Sequence, residues 1–220
     1  MGNKVFQILG GGLLLNNMNL EEFSLVIFDL DNTLYPENEF LFPAYKAIAR
    51  LVSDKDGVNA ADAENFLINN FLKEGRRNLF DRFISEFGLK NSGLNDFLKT
   101  LRSHKSETKI KLTPQLSKIL EACIEKNIKV AVVTNGNPEQ QRNKIDSIEW
   151  KGMLPELFIV YADETERKPS PKPLQIVLKK FETSGVNALF IGDDKVDESA
   201  ANAAGIRFLH AQSADKLILG

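Results

Sequence analysis

Two carboxylates stand two residues apart at Asp29 and Asp31, directly after the apolar run Leu25-Val26-Ile27-Phe28. Side chains at i and i+2 share a face of an extended chain, and a loop just past a strand can aim both into one pocket. Three further polar clusters follow: Thr134-Asn135-Gly136, Lys168-Pro169-Ser170-Pro171 and Gly192-Asp193-Asp194-Lys195-Val196-Asp197. If the fold gathers them, Asp193, Asp194 and Asp197 add their charge to that of Asp29 and Asp31. Around an anionic ligand such a group is untenable without a cation to offset the repulsion. All-oxygen donors favour a hard divalent ion, Mg²⁺. Lys168 adds a fixed positive charge, and the hydroxyl and amides of Thr134-Asn135 add donors. Together they suit phosphoryl transfer, in which the equatorial oxygens are held as charge redistributes.

These clusters need a scaffold that ends several strands at one edge. The run at 25–28 is short, β-rich and non-alternating, as expected of a strand buried on both faces of a parallel sheet. Similar runs at 130–133, 157–161 and 188–191 each lead into a polar loop, and a last short strand is expected at 207–210. Helical patterns lie between them, at 114–125 with Leu116, Ile119, Leu120 and Cys123 on one face, at 174–181 and at 199–204. Strands alternating with helices predict an α/β fold with a doubly wound, mainly parallel sheet. Between Pro36 and Leu112 the pattern changes to helix-like segments at 40–52, 60–73, 78–87 and 94–102, broken at Gly57, Gly75, Gly88 and Gly93. The expected organisation is an N-terminal extension (1–24), a catalytic core (25–36 and 112–220) and an inserted helical cap (37–111). An insertion after the first core strand sits above the carboxyl ends of the strands, where open α/β sheets bind ligands.

In this order, the four polar clusters resemble the motifs of the haloacid dehalogenase (HAD) superfamily over about residues 25–209, a span near the usual size of one domain. The resemblance implies a Rossmann-like core in which the motifs surround a phosphoryl group and Mg²⁺. It implies Asp29 as the nucleophile that forms an aspartyl-phosphate, with Asp31 as the proton partner that serves the leaving alcohol and then the hydrolytic water. Thr134, Asn135 and Lys168 would hold the phosphoryl oxygens. Mg²⁺ would be held by Asp29, the backbone carbonyl of Asp31 and Asp193. Asp197, four positions on from Asp193 (197 − 193 = 4), would act through water or a neighbouring ligand. Asp194 stands where the superfamily often has Ser, which leaves its role open. Members that cleave carbon–halogen bonds lack an acidic residue two positions after the first Asp and need no metal, so Asp31 argues for phosphate chemistry.

The implied function is a magnesium-dependent phosphatase for a small phosphorylated metabolite, of the sugar phosphate or nucleotide monophosphate class. The segment Asp29-Leu30-Asp31-Asn32-Thr33-Leu34-Tyr35-Pro36 is similar to both pyrimidine 5'-nucleotidase-type and sugar-phosphate phosphatase-type members. A phosphomutase would use the same nucleophile and acid/base pair. A phosphorylatable receiver-like signalling or binding module also gathers Asp and Lys around magnesium, but there the acidic pair comes first in the chain. Taken singly, Asp31-Asn32-Thr33 reads as a turn and Asp193-Asp194 as a helix cap. In the cap, the adjacent Arg76 and Arg77 are candidates for orienting the leaving group.

The 28 basic and 30 acidic residues nearly cancel, which leaves no electrostatic footprint for nucleic acid or an anionic membrane. One cysteine, Cys123, and two histidines, His104 and His210, give no zinc spacing and no internal disulfide, which suits a reducing, cytoplasmic setting. The apolar stretch at 8–15 is interrupted by Gly10, Gly11 and Gly12 and is too short to span a bilayer. Those glycines do not continue into a dinucleotide fingerprint, so a flexible linker is expected there.

Overall fold

The computed structural model describes residues 18–220. The expectations for 8–15 and for Gly10-Gly11-Gly12 lie outside the described residues. A short strand β1 (Met18–Asn19) precedes β2 (Leu25–Phe28), and four helices follow: α1 (Asn38–Asp56), α2 (Ala60–Glu74), α3 (Leu79–Phe87) and α4 (Leu94–Ser103). The chain then alternates α5 (Pro114–Glu125), β3 (Lys129–Thr134), α6 (Pro138–Ser147), β4 (Leu157–Tyr161), α7 (Lys172–Lys180), β5 (Ala188–Gly192), α8 (Lys195–Ala204) and β6 (Arg207–His210). The last strand, β7 (Leu217–Ile218), pairs with β1.

Five strands form one sheet in the order β4-β3-β2-β5-β6, every neighbouring pair parallel. The fold is therefore a doubly wound α/β sheet with helical segments inserted after its central strand. The unbroken apolar character of β2 follows from period-two geometry with helices on both faces. Val26 and Phe28 join the core that includes α5 and the inserted helices, whereas Leu25 and Ile27 face Leu174 and Val177 of α7 and Ala200 and Ala201 of α8. Cys123 is buried in the first of these cores, and burial pushes its thiol up to about 12. It packs as a small apolar side chain.

The inserted helices share an aromatic centre. Phe83 lies 5.3 to 5.7 Å, ring centroid to centroid, from Phe66, Phe87 and Phe97. Offset and edge-on ring pairs of this kind give a small helical unit its rigidity. Two crossings join it to the sheet beside β2, where Thr113 N donates to Leu34 O at 2.8 Å. Among the described residues, no helix is long and apolar enough to cross a membrane.

One element escapes the hydrophobic pattern. Helix α6 buries Gln140, Gln141, Lys144, Ile145 and Ser147. Its inward face is almost wholly polar, so the 3.6-residue apolar stripe that marks a helix is missing. Its start is local chemistry: the Asn137 side chain accepts from Gln140 N at 3.2 Å, and Pro138 occupies the first helical position.

Candidate active site

The carboxyl ends of β2, β3 and β5, with the loop after β4, surround a cavity of about 250 Å³. Its walls include Asp29, Asp31, Thr134, Asn135, Lys168, Asp193, Asp194 and Asp197, together with Glu37 and Arg76. Asp29 follows β2 directly and keeps its ladder bond, Asp29 N donating to Ile191 O at 2.9 Å. The chain then turns sharply: Asn32 takes a left-handed backbone (φ 57°), a conformation its short amide tolerates, and its Oδ1 accepts from Glu37 N at 3.1 Å. That turn points Asp29 and Asp31 toward different partners.

Asp29 faces Lys168. The Lys168 ammonium is buried and donates to Asp29 Oδ1 (2.5 Å) and Val133 O (2.9 Å), and it pairs with Asp197 Oδ1 (2.7 Å). Asn135 positions this lysine through its backbone, Oδ1 accepting from Lys168 N (2.9 Å) and Nδ2 donating to Lys168 O (3.0 Å). Its side chain is thus engaged with the lysine loop, leaving its backbone at the cavity wall. Thr134 Oγ1 accepts from Gln141 Nε2 at 3.0 Å.

Asp29, Asp193 and Asp197 each offer an oxygen, and these oxygens lie within 4.8 Å of one another. Burial first, then the charge of Asp197, raise the pKa of Asp29 against the pull of Lys168. The same two causes push Asp193 up to about 6. Hard oxygen donors, crowded, partly or fully buried and short of positive charge, fit a divalent cation. Asp194 lies outside that triad. Its Oδ1 accepts from Val196 N (2.8 Å) and Asp197 N (2.9 Å), which makes it the N-cap of α8. The cap orients the first turn so that Asp197 points back to Asp193, whose N donates to Asp197 Oδ2 at 3.2 Å.

Gly192 is the space this arrangement needs. A Cβ there would stand 2.5 Å from Asp197 Oδ2 and 2.7 Å from its Cβ. Gly192→Ala must displace Asp197, and if Asp197 serves the site as its sequence leads one to expect, turnover falls on the order of 10²-fold, the usual effect of a shift of about 1 Å in a working group. A magnesium titration of phosphate release checks this; unchanged activity in a folded variant would show that Asp197 can move freely.

Asp31 sits in a separate polar nest. Its Oδ1 accepts from Tyr35 OH (2.7 Å), and its Oδ2 accepts from Lys144 Nζ (2.6 Å) and Gln141 Nε2 (3.0 Å). Burial works against its ionisation, but the Lys144 charge and these bonds hold its pKa below the ordinary carboxylate value. Its side chain stands outside the Asp29-Asp193-Asp197 group. Arg76 reaches the cavity from the inserted helices and pairs with Glu37. Arg77 does not line the cavity, and its carbonyl accepts from Arg82 at 2.8 Å. Tyr35, Glu37, Gln141 and Lys144 are the site residues that the sequence patterns did not single out; the Asn137-Pro138 helix start was the available signal for the last two.

The family model for haloacid dehalogenase-like hydrolases matches residues 26–211. The chain is 25% identical over 186 residues to a phosphoglycolate phosphatase of Aquifex aeolicus, covering 83% of this chain and 82% of that protein. It is 24% identical to pyrophosphatase PpaX of Bacillus pumilus, covering 86% and 83% of the two chains. In fold it is like the crystal structure of CbbY from Rhodobacter sphaeroides in complex with phosphate, with a TM-score of 0.58 at 19% identity over 86% of this chain and 85% of that one.

Proposed function

This chain belongs to the haloacid dehalogenase-like hydrolase family as an enzyme of the phosphatase type, and we propose that it hydrolyses a small phosphomonoester through an aspartyl-phosphate on Asp29. The observation that carries this reading is the buried Lys168 ammonium bridging Asp29 and Asp197 beside Asp193. In this reading Asp29 is the nucleophile, Lys168 the fixed cation and Asp193 with Asp197 the hard donors, all at one end of one sheet.

Each residue then has a defined task. A carboxylate oxygen of Asp29 attacks phosphorus, the bond from phosphorus to the leaving oxygen breaks, and that oxygen takes a proton from Asp31. Asp31 is held as a carboxylate in the free site, and an arriving phosphate dianion favours its protonation, since like charges raise a carboxylate pKa. Asp31 next accepts a proton from the water that attacks phosphorus. The bond to Asp29 breaks and its carboxylate returns. Lys168, the Thr134 hydroxyl and the amides of Thr134-Asn135 hold the equatorial oxygens. Mg²⁺, held by Asp29, Asp193 and the backbone carbonyl of Asp31 with Asp197 beside them, would supply the positive charge that this crowded, anionic site lacks.

The inserted segment 37–111 is proposed as the cap that excludes water and selects the leaving group, with Arg76 as its residue at the cavity. A cavity of about 250 Å³ suits a small substrate such as a sugar phosphate, a nucleoside monophosphate or a phosphorylated acid like that named for the Aquifex relative.

Phosphate release from such a panel, measured with Mg²⁺ added back after chelation, tests the reading. Activity is expected to vanish in excess chelator and return with Mg²⁺. Asp193→Ala is expected to raise the magnesium concentration needed by at least about tenfold, as loss of a direct ligand should. Full turnover in chelator, or an unchanged requirement in the variant, contradicts the metal assignment.

A further inference from the structure

Lys144 is a charged group with almost no access to water, its side chain 1% exposed. A lone buried ammonium is costly, so its position requires partners, and it has two: Asp31 Oδ2 at 2.6 Å and Glu37 Oε1 at 2.7 Å. Lys144 does not line the cavity, so it has no place among the groups that touch a phosphoryl oxygen. What it touches is the residue assigned above to proton transfer.

Glu37 has a second cationic partner. The same Oε1 that accepts from Lys144 is paired with Arg76, which approaches from the connection between α2 and α3 and stays half-exposed. One carboxylate oxygen is therefore shared between a buried ammonium of the sheet domain and a guanidinium of the inserted helices. An ammonium between two carboxylates divides its attraction, and a second cation on one carboxylate leaves more of it for the other. With Arg76 docked on Glu37, Lys144 is drawn toward Asp31; with Arg76 withdrawn, Glu37 competes for it. Asp31 Oδ1 is fixed by Tyr35 OH in either case, so the contest acts on Oδ2.

We propose that Lys144 and Glu37 are positioning residues that make the seating of the Asp31 carboxylate depend on the docking of Arg76. The inference rests on the reading of Asp31 as the proton partner. It gives the position of the connection between α2 and α3 a direct electrostatic line to the acid/base residue.

Two double-mutant cycles test it, with phosphate release from a small aryl phosphate and Mg²⁺ as the assay and melting curves to confirm that each variant is folded. In the first, Lys144→Met is expected to lower kcat on the order of 10²-fold with KM little changed, because a misplaced carboxylate slows the chemistry. In an Asp31→Asn background the same change is expected to cost no more than about twofold, since Lys144 acts only through Asp31. In the second, Arg76→Ala is expected to lower kcat several-fold in the wild type (~3- to 10-fold) and by a distinctly smaller factor in a Glu37→Gln background, where the part of its effect that runs through Glu37 has gone.

Losses that multiply in either cycle overturn the proposal, as does wild-type kcat in Lys144→Met. If Lys144→Met fails to fold or Asp31→Asn falls below detection, the second cycle decides alone, since it needs neither variant. Wild-type turnover in Asp31→Asn would instead remove the acid/base reading itself, a result separate from the outcome of the second cycle.

Discussion

Asp29→Asn is expected to reduce phosphate release by on the order of 10⁴-fold or more, the scale seen when a catalytic nucleophile or its immediate partner is removed. An amide keeps the shape of the carboxylate but is a far poorer nucleophile. The fold should survive. The amide oxygen can still accept from Lys168 Nζ, which lies 2.5 Å from Asp29 Oδ1, and the change removes a buried group whose ionisation is disfavoured. The melting temperature should therefore hold steady or rise. Rapid acid quench of the wild type should trap an acid-stable, hydroxylamine-sensitive acyl-phosphate, and the variant should trap none. A variant that keeps more than about a hundredth of wild-type turnover would take the nucleophile role away from Asp29.

The parts of this site that were readable in sequence are those marked by apolar runs. Each sheet strand that carries a motif is a short continuous block of Val, Ile, Leu, Ala or Phe, because helices cover both faces and no polar alternation is needed. Asp29, Thr134 and Asp193 sit at or just past the ends of such blocks, and Lys168 lies in the loop after one. The turn chemistry was also legible in part. Asp194 as a helix cap was one reading of its sequence, and the structure makes it the N-cap of α8.

The residues around Asp31 were hidden for a physical reason. Helix α6 directs Gln141 and Lys144 inward, toward carboxylates instead of a hydrophobic core, so its periodicity carries no apolar signal. A helix whose buried face is polar looks like a solvated loop in the sequence. Local rules fail there because the face serves the site instead of the core. Arg76 and Arg77 show the complementary limit: adjacent identical residues in a turn cannot be told apart by pattern, and only the three-dimensional path sends Arg76 to Glu37 at the cavity and leaves Arg77 off its wall.

Lys168→Met is expected to damage stability and activity together, which separates it from Asp29→Asn. Lys168 is 4% exposed, and its ammonium is the one close positive group that both Asp29 and Asp197 share among the described ion pairs. Removing one partner of a buried ion pair leaves uncompensated charge and costs about 3–5 kcal/mol, even when replacing the whole pair by apolar groups would be neutral. Met fills most of the stem's volume, so packing against Phe190, whose ring centroid lies 5.4 Å from the ammonium, is retained and the loss is electrostatic. The loss should accordingly be largest in chelator. Added Mg²⁺ should recover part of it, because a divalent ion bound by the folded state alone stabilises that state by mass action. Turnover should stay low even when magnesium restores the fold, since the cation proposed to hold the phosphoryl oxygens is gone. Thermal melts of wild type and variant, with and without Mg²⁺, are the measurement. A variant that melts with the wild type in chelator would show that Asp29 and Asp197 do not depend on Lys168 for their charge balance.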